Sequence, residues 1–210
     1  MSRLSKGLYA ITDSRLIGAR LVESVEAAIL GGAVVVQYRD KSDDHTRRAE
    51  EADALQQLCR NHDVIFIIND DLELAAQVGA DGLHIGQEDD SLNQARQHLG
   101  DDTIIGISCY NRFELAQAAE EAGADYIAFG RFFSSNIKPD AVAAHIELLE
   151  RAREEINLPV VAIGGITAEN GAQLVKAGAD MLAVISDIFD RPTADEITAA
   201  TQRFQSIFNI

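Results

Sequence analysis

The segment Gln37-Tyr38-Arg39-Asp40-Lys41 sets an amide and two cations at every second position. In an extended chain such positions point the same way, so Gln37, Arg39 and Lys41 can converge on one ligand. Lysine is scarce here, with only Lys6, Lys41, Lys138 and Lys176 in the chain, and both Lys41 and Lys138 follow apolar runs. Lys+Arg number 18 against 34 Asp+Glu, a net charge of −16. A strongly acidic chain that still gathers cations at strand ends is arranged for a small, highly charged anion. The competing use is a surface ion pair of Arg39 with Asp40 or Asp43, with Lys138 a solvated loop charge. Asn69-Asp70 and Asp89 offer the hard oxygen donors that magnesium takes together with substrate phosphate and water. Their competing use is the helix cap, open to Asp70 or Asp71. Gly164-Gly165, followed by Ile166-Thr167, either lets backbone N–H groups approach an anion, with Ile185-Ser186 adding further N–H groups and a hydroxyl, or makes a tight turn with nothing bound.

These residues need a scaffold that brings distant segments together. Short apolar runs recur at Leu8–Ile11, Val34–Tyr38, Val64–Ile68, Gly82–Ile85, Thr103–Ile107, Tyr126–Phe129, Pro159–Ile163 and Met181–Ile185. Polar, alanine-rich stretches with helical spacing separate them, such as Asp44–Asn61, Arg112–Ala122 and Asp140–Ile156. A join is repeated as well: Val78-Gly79-Ala80-Asp81, Ala122-Gly123-Ala124-Asp125 and Ala177-Gly178-Ala179-Asp180 each precede a strand, with Gly31-Gly32-Ala33 a fainter copy. Glycine suits the left-handed turn that ends a helix. Eight strand-then-helix units predict a parallel sheet with right-handed crossovers. The count favours a closed α/β barrel, one (β/α)8 domain over residues 1–210, with chemistry at the C-terminal ends of the strands. An open dinucleotide-binding sheet predicts a glycine-rich first turn, and Thr12-Asp13-Ser14-Arg15 stands there instead.

Composition narrows the partners. The acidic balance argues against nucleic acid and anionic membrane. Two cysteines, Cys59 and Cys109, exclude a disulfide scaffold and a cysteine-built zinc site. No apolar stretch approaches the ~20 residues of a membrane helix, and Met1–Lys6 lacks a signal-peptide core, so a cytoplasmic protein is expected. His84 sits between Leu83 and Ile85 and reads as barrel-lining, while His45, His62, His98 and His145 read as surface. Tyr38 has two uses open to it, lining the site or filling the barrel. The apolar segment Phe204–Ile210 also has two, capping the barrel or meeting a second copy in a homodimer.

The motifs, taken in order, resemble thiamine phosphate synthases. The resemblance rests on Leu8-Tyr9-Ala10-Ile11-Thr12-Asp13, Gln37-Tyr38-Arg39-Asp40-Lys41, Ile68-Asn69-Asp70, Leu83-His84-Ile85-Gly86-Gln87-Glu88-Asp89, Gly106-Ile107-Ser108, Ala162-Ile163-Gly164-Gly165-Ile166 and Val184-Ile185-Ser186. It runs from about residue 7 to about residue 190. It implies a magnesium-dependent TIM barrel that couples two phosphorylated small molecules, a hydroxymethylpyrimidine pyrophosphate and a thiazole phosphate (or its carboxylated tautomer), releasing pyrophosphate. Carried over by position, it implies that Gln37, Arg39, Lys41 and Asn69 hold the pyrimidine pyrophosphate and that Ser108 contacts the pyrimidine. It gives Mg2+ to Asp70 and Asp89, the departing pyrophosphate to Lys138, and the thiazole phosphate to Gly165, Ile185 and Ser186, with Ser135 a further substrate-binding residue that keeps a hydroxyl. One stretch departs: where the family presents Thr-x-Thr-Lys, this chain reads Ser135-Asn136-Ile137-Lys138. Ile137 offers no side-chain donor, which implies a weakened anion site. The alternatives are a metal-free thiazole tautomerase on the same barrel, which has no use for the cations and magnesium aspartates, and a non-catalytic barrel that binds a phosphorylated ligand.

Overall fold

The computed structural model describes residues 4–86, 91–134 and 142–208. Eight strands close into a barrel in chain order: β1 (Gly7–Ile11), β2 (Ala33–Tyr38), β3 (Ile65–Asn69), β4 (Gly82–Ile85), β5 (Ile104–Tyr110), β6 (Tyr126–Gly130), β7 (Val160–Ile163) and β8 (Met181–Val184). Every neighbouring pair is parallel, and β8 returns to β1 through Gly7↔Met181 and Leu8↔Leu182. Around it lie α1 (Ser14–Ile17), α2 (Leu21–Leu30), α3 (His45–Asn61), α4 (Leu72–Val78), α5 (Leu92–Leu99), α6 (Phe113–Glu121), α7 (Glu147–Glu155), α8 (Gly171–Ala177), α9 (Ser186–Phe189) and α10 (Ala194–Phe208). None of the described helices is long and apolar enough to cross a membrane.

The two-residue strand period divides the core in two. Leu8, Ala10, Val36, Phe66, Ile68, Leu83, Ile105, Phe129 and Leu182 face outward and pack under the helices. Tyr9, Ile11, Val35, Ile67, Ile104, Tyr126, Val161 and Met181 form a second, inner cluster. Both faces are buried, which is why the strands read as near-continuous apolar runs.

The repeated join does two jobs. Gly79, Gly123 and Gly178 take φ of 62°, 86° and 129°, so the helix before each strand ends in the left-handed turn expected of it. The aspartate that follows has a use the sequence did not disclose. Asp81 Oδ2 accepts from Phe66 N (3.0 Å), Asp125 Oδ2 from Ile105 N (2.8 Å), and Asp180 Oδ2 from Val160 N (3.0 Å). Each carboxylate satisfies an N–H near the start of the preceding strand, stitching β3 to β4, β5 to β6 and β7 to β8 at the bottom of the barrel.

The described part of the segment Phe204–Ile210 packs within the chain. Phe204 and Ile207 on α10 are buried in the outer core, and Gln205 Nε2 donates to Gly31 O at 2.9 Å beside α2. Residues 209–210 lie outside the described set. Tyr38 does neither thing expected of it. It is buried outside the barrel, where its hydroxyl donates to Glu51 Oε2 of α3 (2.7 Å).

After β1, Asp13 caps α1, accepting from Arg15 N (3.0 Å), Nε (3.0 Å) and Nη2 (2.6 Å). The Arg15 guanidinium holds this buried carboxyl below the usual carboxylate range, against the opposing pull of burial. A lowered pKa means the ion stabilises the fold above the unfolded value of ~3.9 and stops doing so as pH falls through the folded value. Asn at position 13 keeps the cap but not the charge. The D13N variant is therefore expected to be less stable than wild type at pH 7, with the gap closing below about pH 4 in urea midpoints; a gap that does not vary with pH contradicts this.

Candidate active site

Moving up each strand, the inward positions turn from apolar to polar. On β2 Val35 is followed by Gln37, on β3 Ile67 by Asn69, and on β5 Ile104 and Gly106 by Ser108. The result is a pocket at the C-terminal ends whose wall includes Gln37, Arg39, Asn69, His84, Ser108 and Ile185, with Ile163 and Gly164 opposite β2 and β3. Five of the residues that the resemblance assigns to substrate therefore share one cavity: Gln37, Arg39, Asn69, Ser108 and Ile185.

The pocket floor is a hydrogen-bonded chain across the barrel. Gln37 Nε2 donates to Tyr9 Oη (2.8 Å), Tyr9 Oη meets Tyr126 Oη (2.8 Å), Tyr126 Oη meets His84 Nδ1 (2.9 Å), and His84 Nε2 meets Ser108 Oγ (2.9 Å). His84 and Tyr126 also stack, with ring centroids 5.6 Å apart and planes at 26°. Burial pushes both phenols well above their ordinary range, so they remain protonated hydrogen-bonding groups. His84 is thus barrel-lining, and it orients Ser108. Gly106 makes the arrangement possible: a Cβ there would lie 1.9 Å from Tyr126 Cζ.

Arg39 does not take the surface ion pair open to it. Asp40 is occupied by Arg47 Nη2 (2.8 Å) and Ser42 N (2.7 Å), and Arg39 makes no ion pair among the described residues. Its backbone N–H donates to Thr12 Oγ1 (2.9 Å), which ties the end of β2 to β1. The alternation that aligns Gln37 with Arg39 stops there. Strand β2 ends at Tyr38 and Asp40 turns the chain, so Lys41 leaves the pocket wall and its ammonium pairs with Asp70 Oδ2 at the rim.

The capping question at β3 is settled by division of labour. Asp71 caps α4, accepting from Leu74 N (2.9 Å), and pairs with Arg48 (2.6 Å). Asp70 adopts φ 62°, a left-handed conformation that Asp tolerates better than most residues. Its Oδ2 also receives Asn69 Nδ2 at 2.7 Å. Asp70, Asn69 and Lys41 thus form one polar corner beside the pocket. Hard oxygen donors with no sulfur fit a magnesium ion completed by substrate phosphate and water. Among the described residues, no group of three or more His, Cys, Asp or Glu shares such a place.

Across the mouth, Gly164 and Gly165 have φ of 104° and 62°. A Cβ on Gly165 would lie 2.3 Å from Ser134 O, so the glycines are required by close packing of the strand-6 loop on the strand-7 turn. Gly165 and Ser186 are not pocket-lining; each adjoins a residue that is, Gly164 and Ile185. Ser186 is the first residue of α9. Asp89, Ser135, Ile137 and Lys138 lie outside the described residues.

Neither cysteine thiol can serve as a nucleophile. Cys59 and Cys109 are fully buried, and burial pushes each thiol up to about 12.

A sequence model of the family "Thiamine monophosphate synthase" matches residues 8–188. The chain belongs to that family. A thiamine-phosphate synthase of Nitrosococcus oceani is 49% identical over 209 residues, covering 99% of this chain and 95% of the relative. Among solved structures, a thiamine phosphate pyrophosphorylase from Pyrococcus furiosus matches with a TM-score of 0.86 and 35% identity over 97% of this chain and 95% of its own. One from Bacteroides thetaiotaomicron, 13% identical, matches with a TM-score of 0.74 over 97% of this chain and 98% of its own, a likeness of fold alone. Within a thiamine monophosphate synthase barrel, Tyr9, Tyr126, Tyr110 and Arg131 are pocket residues that sequence reasoning passed over. Strand parity could have found the first two, since Tyr9 shares the parity of Ile11 and Tyr126 that of Ala128. Tyr110 and Arg131 sit where regular alternation breaks, at a register shift in β5 and just beyond β6.

Proposed function

We propose that this chain is a thiamine-phosphate synthase, joining a hydroxymethylpyrimidine pyrophosphate to a thiazole phosphate with release of pyrophosphate. The observation that carries the proposal is the single pocket in which Gln37, Arg39, Asn69, Ser108 and Ile185, from strands far apart in sequence, meet at the C-terminal ends of a barrel of this family. Residues 1–210 are read as one barrel domain. A cytoplasmic setting suits its buried, unpaired cysteines. No homodimer surface is proposed, because Phe204 and Ile207 are used within the chain.

The reaction is substitution at a CH2 attached to an electron-rich aminopyrimidine, with the thiazole nitrogen as nucleophile. No side-chain nucleophile is required. The difficulty lies in expelling pyrophosphate. The aminopyrimidine ring can spread positive charge from its CH2, which favours a dissociative path. In this assignment Gln37 and Ser108 hold the ring, both fixed by the floor network, so the leaving group points to the Arg39, Asn69 and Lys41 side of the mouth. Arg39 and Lys41, with Lys138 from the family resemblance, take up charge as it grows on the departing pyrophosphate. Asp70, with Asp89 from the same resemblance, would hold Mg2+, which when bound neutralises the same leaving group. Gly165, Ile185 and Ser186 are assigned to the thiazole phosphate on the opposite rim. Two anion clamps on one mouth orient the partners for attack.

The test is pyrophosphate release. It should require both substrates and Mg2+ and stop on addition of EDTA. No release with both substrates and metal present overturns the proposal.

A further inference from the structure

Half-buried arginines in this chain are almost all matched. Arg47, Arg48, Arg96 and Arg191 each meet a carboxylate, and Arg20 donates to the carbonyls of Arg191 and Pro192. Two have neither an ion pair nor a side-chain hydrogen bond among the described residues, Arg39 and Arg131, and both line the pocket. Partners are not scarce in a chain with 34 acidic residues. Among the described residues Arg39 feels only Asp13, whose carboxylate is already committed to Arg15, and Arg131 has no carboxylate partner, so these two half-buried guanidiniums facing one cavity mark places where ligand charge belongs.

Arg39 is accounted for by the pyrimidine pyrophosphate; Arg131 is not. It follows β6, four strands round the closed barrel from β2, and so stands on the opposite side of the mouth from Arg39. Its backbone is fixed from both sides: Arg131 N donates to Val142 O (3.2 Å), and Arg131 O accepts from Ala144 N (2.7 Å). Its stem lies against the strand-7 turn, where a Cβ on Gly164 would come within 2.2 Å of Arg131 Cβ. The backbone and Cβ of Arg131 are therefore fixed on the Gly164 side of the pocket it lines, next to the rim assigned to the acceptor substrate.

Resting on the function proposed above, we infer that Arg131 is a binding residue for the phosphate monoester of the acceptor, supplementing the backbone groups of the strand-7 and strand-8 turns. A charge-assisted, bidentate contact of this kind is among the stronger polar interactions available to a protein.

The R131Q and R131K variants test this by steady-state rates and by calorimetry with thiazole phosphate. In R131Q the acceptor KM and Kd should rise about tenfold or more, as expected for loss of a charge-assisted contact. The KM for pyrimidine pyrophosphate should stay within about twofold, and R131K should recover part of the loss. Binding of the unphosphorylated hydroxyethylthiazole should be the same in R131Q and wild type. An unchanged acceptor Kd overturns the inference. So does a loss that falls on pyrimidine pyrophosphate, which would give Arg131 to the leaving group. Pyrophosphate release by the wild-type protein tests the function itself, so the two failures are distinguishable, and calorimetry does not depend on turnover.

Discussion

Asp70→Asn lowers kcat for pyrophosphate release by about 10²–10³-fold, the cost typical of removing one charge-stabilising group from a transition state. The dissociation constant for thiazole phosphate should stay within about twofold. Asparagine is the informative replacement because it tolerates the left-handed φ of 62° at this position, whereas alanine would add backbone strain. It also retains an oxygen to accept from Asn69 while removing the charge that pairs with Lys41 and would hold the metal. The split between turnover and acceptor binding is what identifies the leaving-group corner. Equal losses in both quantities would mean that Asp70 shapes the whole mouth and does not act on the departing pyrophosphate.

The second large effect concerns a residue that touches no substrate. Gly106→Ala places a methyl group 1.9 Å from Tyr126 Cζ, a clash with a ring held at its hydroxyl by Tyr9 and His84. Overpacking of a core costs ~1–3 kcal/mol, and leaving buried polar partners unsatisfied adds ~1–3 kcal/mol. The variant should therefore lose about 2–6 kcal/mol in urea unfolding. Folded enzyme should show a raised KM for pyrimidine pyrophosphate, because Ser108 and Gln37 lose the chain that orients them. Gly123→Ala is the control: its φ of 86° is unfavourable to alanine, yet nothing lies within 4 Å of the added Cβ. Its cost should be backbone strain alone, about 1–3 kcal/mol, with no change in that KM. If Gly106→Ala is no less stable than Gly123→Ala, the ring is not confined as described.

Much of the barrel was legible because its signals are local. Apolar runs fixed seven of the strands to within a residue or so at each end, and Gly82–Ile85 coincides with β4. The exception is β5, expected over Thr103–Ile107, which continues to Tyr110. Helix ends were marked by glycines that need positive φ. Errors appear where a tertiary partner decides. Helix α7, expected from Asp140, begins at Glu147, because the preceding segment instead pairs Val142 O and Ala144 N with Arg131. The extension of β5 runs through a register shift that no propensity encodes.

The site was legible in its residue types and less so in their partners. Gln37, Arg39, Asn69, Ser108 and Ile185 were marked by position at strand ends, and position is what places them in the pocket. Lys41 was expected to point with Arg39, but the strand stops at Tyr38 and the lysine goes to Asp70. The Tyr9–Tyr126 contact joins residues 117 apart in sequence, and the aspartates of the repeated joins bind strands 15 to 20 residues away. The tyrosines meet only when the barrel closes, and the aspartates reach their N–H partners only when neighbouring strands pair, so neither contact is visible in the local sequence.

The crystal structure of the complex with thiamine phosphate, pyrophosphate and magnesium tests most directly whether these scattered groups serve one leaving group. Pyrophosphate should lie between Arg39 and Lys41, with the ion on Asp70 and the pyrimidine against Gln37 and Ser108. Pyrophosphate and metal bound away from Arg39 and Asp70, or a pyrimidine ring outside the pocket, would contradict the assignment.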